Sequence, residues 1–314
     1  MAKYRGSLPQ LDDRFFLADG GIETTLIFND GLDLPHFAAF HLLRTEEGRG
    51  ALKRYFDTYA ALANRFGVGL VLESATWRAS ADWGDRLGYS ARKIADTNSE
   101  SIRLLEEVRE RHESDTTPIV ISGCVGPRGD GYVPDALMTP EQSEKYHLAQ
   151  LEVFADSEAD MACAMTMNYF DEALGVARGA QRTGLPLAIA FTVETDGNLP
   201  TGDTLQSVVE RIDEETGGYP SYFMINCAHP EHFQHVVERG NGWRDRIRGL
   251  RANASRRSHA ELNDSPDVDA GDPVELAAQY ARLREKLTRL NVMGGCCGTD
   301  HRHIEQIAMA CAMA

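Results

Sequence analysis

The chain alternates between two textures. Short apolar runs rich in branched side chains, each closed by turn residues, give way to longer stretches in which apolar residues recur every three or four positions. The first run, Phe15-Phe16-Leu17-Ala18, ends in Asp19-Gly20-Gly21. After a long polar loop, Leu52, Tyr55, Phe56, Tyr59, Leu62 and Phe66 fall on one face of a predicted helix. Val68 to Leu72 ends at Glu73-Ser74, and Ile102, Leu105 and Val108 mark a helix closing near His112. Pro118 to Ile121 ends at Gly123-Cys124-Val125-Gly126-Pro127. A Gly/Pro-rich loop follows, and then Thr139-Pro140-Glu141, a capping residue with proline in the first turn, predicts a helix start. Further runs are Met161 to Met165, Leu187 to Phe191, Tyr222 to Ile225 ending at Asn226-Cys227, and a weaker one, Ile247 to Leu250, ending near Asn253. The polar stretch Ser255 to Asp272 then predicts a covering or mobile loop. The last run, Leu290 to Met293, opens into Gly294-Gly295-Cys296-Cys297-Gly298-Thr299-Asp300, and Ile304, Ile307, Ala308 and Cys311 give a closing helix.

Eight strand-then-helix units with no intervening linker predict a single (β/α)8 TIM barrel over residues 1–314. The rival is a doubly wound open sheet. It normally carries fewer strands, and the first strand here lacks the Gly-rich turn of a dinucleotide site.

Composition narrows the partners. A net charge of −16 argues against nucleic acid or an anionic membrane, since either rewards a basic face. No apolar run approaches a membrane span, and the N-terminus lacks the apolar core of a secretion signal. Six cysteines are too few for a disulfide scaffold in 314 residues and fit a reducing compartment, so the expected location is the cytoplasm. No exposed apolar stripe fixes an oligomeric state.

In a TIM barrel the residues just past the strand ends share the face that carries the active site. Cys227 ends the sixth strand, and Cys296 and Cys297 end the eighth, so three sulfurs meet at one rim. Cys124, Cys163 and Cys311 are expected to pack as small hydrophobes. Three thiolates suit zinc, and three protein ligands with one open position make a catalytic site. A closed Cys3His site using His229 or His301, or a disulfide between Cys296 and Cys297, are the alternatives. Placement at the rim favours the open site.

Asp19-Gly20-Gly21, Gly126-Pro127, Asn226-Cys227 and Gly294-Gly295-Cys296-Cys297-Gly298-Thr299 together, in this order over nearly the whole chain, resemble the zinc-dependent homocysteine S-methyltransferases. The resemblance implies Zn2+ held by Cys227, Cys296 and Cys297, and methyl transfer to the sulfur of homocysteine to give methionine. It implies that Asp19 helps to hold the amino group of that substrate, and it places Gly20, Gly21, Glu73, Thr166 and Glu194 around the substrate. Two departures stand out. Where the family carries a Glu-Thr pair after the fourth strand this chain has Met165-Thr166, and a methionine is a poor acceptor for an ammonium group. Glu73, Glu194 or Asp196 then takes that contact, or the acceptor is another thiol. Glu73-Ser74-Ala75-Thr76-Trp77 also replaces a Thr-Asn-Thr-aromatic pattern.

Only a small fraction of a free thiol is ionised at neutral pH, and zinc removes the proton. The partners are therefore a small-molecule thiol and a methyl donor carrying its methyl on a sulfonium or ammonium, whose neutral leaving group eases displacement. Trp77, Tyr132, Tyr169 and Phe191 are candidate cation–π contacts, with Glu194 and Asp196 for charge, although Phe191 reads best as core. His229 and His301 are candidate orienting groups. The arginines between Arg244 and Arg257 can steer a carboxylate, with a solvated face expected for most. With no folate- or cobalamin-binding module in the 314 residues and little chain after the metal motif, S-methylmethionine or S-adenosylmethionine leads. Dimethylsulfoniopropionate or a betaine follows. A phosphate-binding barrel using Gly294-Gly295, and a non-catalytic zinc sensor, are the readings from other classes.

Overall fold

A computed structural model describes residues 2–135, 137–238, 242–263, 265 and 267–312. Eight parallel strands close on one another in chain order: β1 (Phe16–Ala18), β2 (Gly69–Glu73), β3 (Ile119–Val125), β4 (Met161–Met167), β5 (Leu187–Phe191), β6 (Tyr222–Asn226), β7 (Ile247–Ala252) and β8 (Val292–Gly295). Pairing of β1 with both β2 and β8 shuts the ring. The helices are α1 (Glu46–Phe66), α2 (Ala81–Arg86), α3 (Ala91–His112), α4 (Pro140–Ala155), α5 (Phe170–Thr183), α6 (Leu205–Thr216), α7 (Pro230–Val237), α8 (His259–Asn263), α9 (Pro273–Lys286) and α10 (His301–Cys311). The predicted barrel is the observed one.

Every strand residue is buried, because helices cover the outer face and the lumen is packed. This is why the strands read as apolar runs. Side chains still alternate. Leu17, Leu70, Leu72, Ile119, Ile121, Ile189, Ile225 and Leu250 face the helices. Phe16, Val71, Val120, Cys163, Met165, Ala190, Met224 and Val292 fill the lumen. Leu8, with Tyr4 and Leu11 beside it, packs onto the lumen cluster. The Asn291 amide secures this segment through the Gln10 carbonyl at 2.6 Å.

The helix start foreseen at Thr139 is a full capping box with Gln142 and Pro140 in the first turn. Six strands run past the ends of their apolar runs. β2 continues to Glu73, β3 to Val125, β4 to Met167, β6 to Asn226, β7 to Ala252 and β8 to Gly295, because a lumen lined by small or polar residues still completes the backbone ladder. As a result Glu73, Cys124, Thr166 and Arg251 lie inside strands rather than in loops. The polar loop after β1 holds a π-turn helix, Thr24–Asn29, which the sequence pattern does not announce.

Candidate metal centre

The loops after β1, β6, β7 and β8 meet at the C-terminal mouth of the barrel. Gly20 and Gly21 let the first of them press against the last. A Cβ on Gly21 would stand 2.5 Å from the Cys296 carbonyl oxygen, and one on Gly20 would stand 2.7 Å from the Tyr59 hydroxyl. In exchange, the Gly21 N–H donates to the Thr299 carbonyl at 3.1 Å and the Gly298 N–H to the Thr24 hydroxyl at 3.0 Å. Gly298 itself has φ +78°, which permits the tight turn after the paired cysteines.

Cys227 adopts φ +51° and Thr166 φ +63°, an uncommon conformation for side chains of these types. Both are held from other strands. The Cys227 N–H donates to the Arg251 carbonyl at 3.1 Å. The Asn226 amide accepts from the Thr166 N–H at 3.2 Å and donates to its hydroxyl at 2.8 Å. Asn253, just past β7, ties the two cysteine loops together: its Nδ2 donates to the Cys227 carbonyl at 3.0 Å, and its Oδ1 accepts from the Cys297 N–H at 3.1 Å.

The result is three sulfurs, those of Cys227, Cys296 and Cys297, with ligand atoms all within 4.8 Å of one another. They form the one group of three or more potential ligands found among the described residues, and neither His229 nor His301 joins it. His229 is buried and caps α7, and burial lowers its ring to about 4, while His301 is exposed at the start of α10. The Cys227 and Cys297 sulfurs are 3.9 Å apart. That matches the edge of a tetrahedron with metal–sulfur bonds of about 2.3 Å, which is about 3.8 Å. The sulfurs of Cys227 and Cys296 are in disulfide contact, with Cα atoms 5.4 Å apart, so metal binding requires this pair to spread to the same edge length. The adjacent pair considered from sequence, Cys296 and Cys297, is not the one in contact. Cys124, Cys163 and Cys311 are buried in the core as expected.

Over the sulfurs stands Tyr132, from the loop after β3. Its hydroxyl donates to the Cys227 sulfur at 3.4 Å and lies 3.7 Å from that of Cys297, and its ring packs on His259 with centroids 4.4 Å apart. His259 comes from the polar loop after β7, which covers the site as its length suggested. The His259 Nε2–H donates to the Cys227 carbonyl at 2.6 Å, and the Glu194 carboxylate lies 3.4 Å from Nδ1.

Below the sulfurs the lumen is charged. Asp19 is buried, with Oδ1 2.5 Å from Arg251 Nη2 and Oδ2 accepting from the Tyr55 hydroxyl at 2.7 Å. Burial pushes Glu73 up to about 7 against the pull of Arg251. Glu23, half-buried at the start of the π-turn helix, is likewise pushed up to about 7 by burial and by Asp19. Arg78, stacked between Trp77 and Trp83 at 4.0 and 3.7 Å, is lowered to about 10 by burial.

Of the residues singled out from sequence, Asp19, Gly20, Gly21, Glu73, Thr166, Glu194 and the three cysteines all lie at the mouth or the top of the lumen. The aromatic candidates divide. Tyr132 is at the sulfurs, and Trp77 already faces Arg78. Tyr169 is buried, its hydroxyl accepting from the Met138 N–H at 3.1 Å, and Phe191 stacks on Phe223 in the core. Asp196 is engaged by Asn198 in its own turn. Asn253, His259, Glu23 and the buried position of Arg251 were missed. Asn253 alone left a trace, as the residue at which the seventh run stopped.

A parallel barrel whose C-terminal rim gathers three thiols carries a donor set that suits a soft metal. The family model for homocysteine S-methyltransferase matches residues 16–311, and the chain belongs to that family of methyl-transferring enzymes. A methionine synthase from Mycobacterium tuberculosis is 24% identical over 245 residues, which are 71% of this chain and 18% of that protein. The chain thus spans under a fifth of that relative's length. Among solved structures, the homocysteine methyltransferase MmuM from Escherichia coli in its oxidized form matches with a TM-score of 0.76 at 18% identity, over 98% of this chain and 99% of that one. Its metallated form matches at 0.74 and 18% identity, over 95% and 97%. No helix among the described residues is long and apolar enough to cross a membrane.

Proposed function

We propose that the protein transfers a methyl group from a sulfonium or ammonium donor to the thiol of homocysteine, giving methionine, with Zn2+ held by Cys227, Cys296 and Cys297. The observation that carries this reading is the meeting of three sulfurs at the C-terminal mouth of the barrel, where Cys297 is exposed. A zinc ion held by these three sulfurs would keep an acceptor thiol deprotonated at neutral pH. The chain supplies the rest. Asn253 and the Arg251 carbonyl fix Cys227, the Tyr132 hydroxyl donates to sulfur and limits the charge it carries, and the loop bearing His259 restricts water. The acceptor sulfur attacks the donor methyl in line; the new S–CH3 bond takes the sulfur's lone pair, and the donor's bonding pair leaves with its onium atom as a neutral sulfide or amine. S-methylmethionine or S-adenosylmethionine is the favoured donor, and the cytoplasm, where free thiols persist, the favoured location.

Met165, which faces the lumen where the resemblance expects a glutamate, favours one second reading, transfer to a different thiol. The test is metal content and product formation together. The wild-type protein should bind one zinc per chain and methylate homocysteine from at least one of the four donors, and Cys227→Ala should lose both. Full zinc in Cys227→Ala would refute the site. Methylation of other thiols with none of homocysteine would establish the second reading.

A further inference from the structure

The loop after β3, which carries Tyr132, is anchored on a buried acid that the metal centre does not use. Glu172, in the first turn of α5, is 1% exposed, and its Oε1 accepts from the Arg128 N–H at 2.8 Å and from the His147 Nε2–H at 2.9 Å. Its backbone carbonyl accepts from the Ser143 hydroxyl at 2.8 Å. Tyr169, just before α5, shares a hydrogen bond with the Glu172 side chain, and its hydroxyl accepts from the Met138 N–H at 3.1 Å. One residue thus holds the loop near its start, at Arg128, and near its end, through Tyr169, and grips the following helix at Ser143 and His147.

His147 is buried as deeply, and its Nδ1 has no partner among the described residues. A buried carboxylate beside an imidazole with one open nitrogen is a costly way to join α4 to α5, since apolar side chains of similar size join two helices at least as well. An apolar side chain cannot accept the Arg128 N–H. What Glu172 adds to packing is therefore the position of the loop.

That position reaches the sulfurs along a short path. Between Arg128 and Tyr132 the chain is closed by Asp130, whose Oδ1 accepts from the Tyr132 N–H at 2.8 Å and the Val133 N–H at 3.1 Å. Arg78 and Asn168 add one bond each, to the Gly129 and Asp130 carbonyls, both at 2.9 Å. Anchors and turn together set the Tyr132 hydroxyl 3.4 Å from the Cys227 sulfur and 3.7 Å from that of Cys297. A shift of about 1 Å in the loop would lose both contacts.

Resting on the reading that the three cysteines hold a metal, we propose that Glu172 is a positioning residue for the metal centre. By seating the Arg128 amide and, through Tyr169, that of Met138, it keeps the Tyr132 hydroxyl on the ligand sulfurs and slows loss of the metal.

The test is zinc release from the full chain into excess chelator, measured for Glu172→Ala and Glu172→Gln, each alone and combined with Tyr132→Phe. Glu172→Ala alone should release zinc roughly 3- to 10-fold faster than the wild type, the loop being still held by Arg78 and Asn168. Combined with Tyr132→Phe it should add nothing to the effect of that change, because the contact through which Glu172 acts is already gone. Glu172→Gln keeps an acceptor for the Arg128 N–H and should restore most of the wild-type rate. Should Glu172→Ala not fold, Tyr169→Phe, which takes the acceptor from the Met138 N–H, provides the same comparison. Equal acceleration with and without the Tyr132 hydroxyl, no acceleration in the wild-type background, or a glutamine variant as fast as the alanine one overturns the proposal and leaves the metal reading standing. A wild-type chain that binds no zinc overturns that reading and the proposal with it.

Discussion

Asn253 is the mechanical link between the two cysteine loops, and its removal should be felt in the metal more than in the barrel. Asn253→Ala takes two hydrogen bonds from a side chain that is 2% exposed. The losses are unequal. The Cys227 carbonyl keeps its bond from His259 at 2.6 Å, whereas the Cys297 N–H loses its acceptor. One bond lost with a partner remaining costs about 1 kcal/mol, and one group left open about 1–3 kcal/mol, together ~2–4 kcal/mol and on the order of 3–6 °C in Tm. Cys227 is also freed to leave its φ of +51°, a conformation that costs roughly 1–2 kcal/mol to hold, and relaxation would swing its sulfur away from the other two. Zinc affinity should therefore fall about 10- to 100-fold, the range found when groups orienting a ligand are removed. Asn253→Asp separates the two effects. It keeps the acceptor for Cys297, so stability should partly recover, but it sets a carboxylate against the Cys227 carbonyl, so affinity should not. Competition for zinc with a chromophoric chelator and melting of metal-free and loaded protein measure both. An alanine variant matching the wild type in zinc affinity and Tm would refute the cross-link.

The other predictions follow from single contacts. Tyr132→Phe keeps the ring on His259 and removes the donor to Cys227, so Tm should change by less than about 0.5 kcal/mol equivalent while zinc dissociates roughly tenfold more readily. An unaltered zinc affinity would show that the hydroxyl does not act on the metal ligands. Gly21→Ala places a methyl 2.5 Å from the Cys296 carbonyl oxygen and should cost ~1–3 kcal/mol and lower zinc content, both readable from melting and metal analysis. Asp300 caps α10; burial pushes its carboxyl up, but hydrogen bonds from His303 and Arg302 outweigh this and hold it below the usual carboxylate range. A depressed carboxyl contributes stability above its unfolded value, near 4, and loses it as the pH falls through the folded value. The wild type should therefore lose more Tm than Asp300→Asn between pH 5 and the acid limit of the fold, and parallel acid profiles would refute the assignment. Asp300→Ala, which also loses the cap, should cost about 0.5–2 kcal/mol at neutral pH.

What was legible in the sequence was whatever depends on neighbours along the chain. Leu187–Phe191 is the fifth strand residue for residue, and Thr139-Pro140-Glu141 is the start of α4, because burial on both faces and helix capping are local facts. Counting the units then did long-range work, since a closed parallel ring fixes which strand ends are neighbours and so brought Cys227 to Cys296 and Cys297. The same count could not reveal what a side chain meets across the lumen. Arg251 sits in Ile247-Arg248-Gly249-Leu250-Arg251, a pattern that reads as a strand with one solvated face. The closed barrel has no such face, and Arg251 is held inside it by the Asp19 carboxylate and the Gly20 and Gly295 carbonyls. Asn253 and His259 escaped for a related reason, and Tyr132, named as a candidate cation–π contact, was not expected as a donor to sulfur: each reaches Cys227 from another loop, and no spacing in the chain records that contact. Met165 illustrates the converse. Taken alone it marks a missing carboxylate, yet the lumen that receives it holds Asp19, Glu73 and Arg251 within one ring of strand ends, so the loss of charge on β4 is set beside charge on β2 and β7. A departure at one strand of a barrel acquires its meaning from the residues on the others.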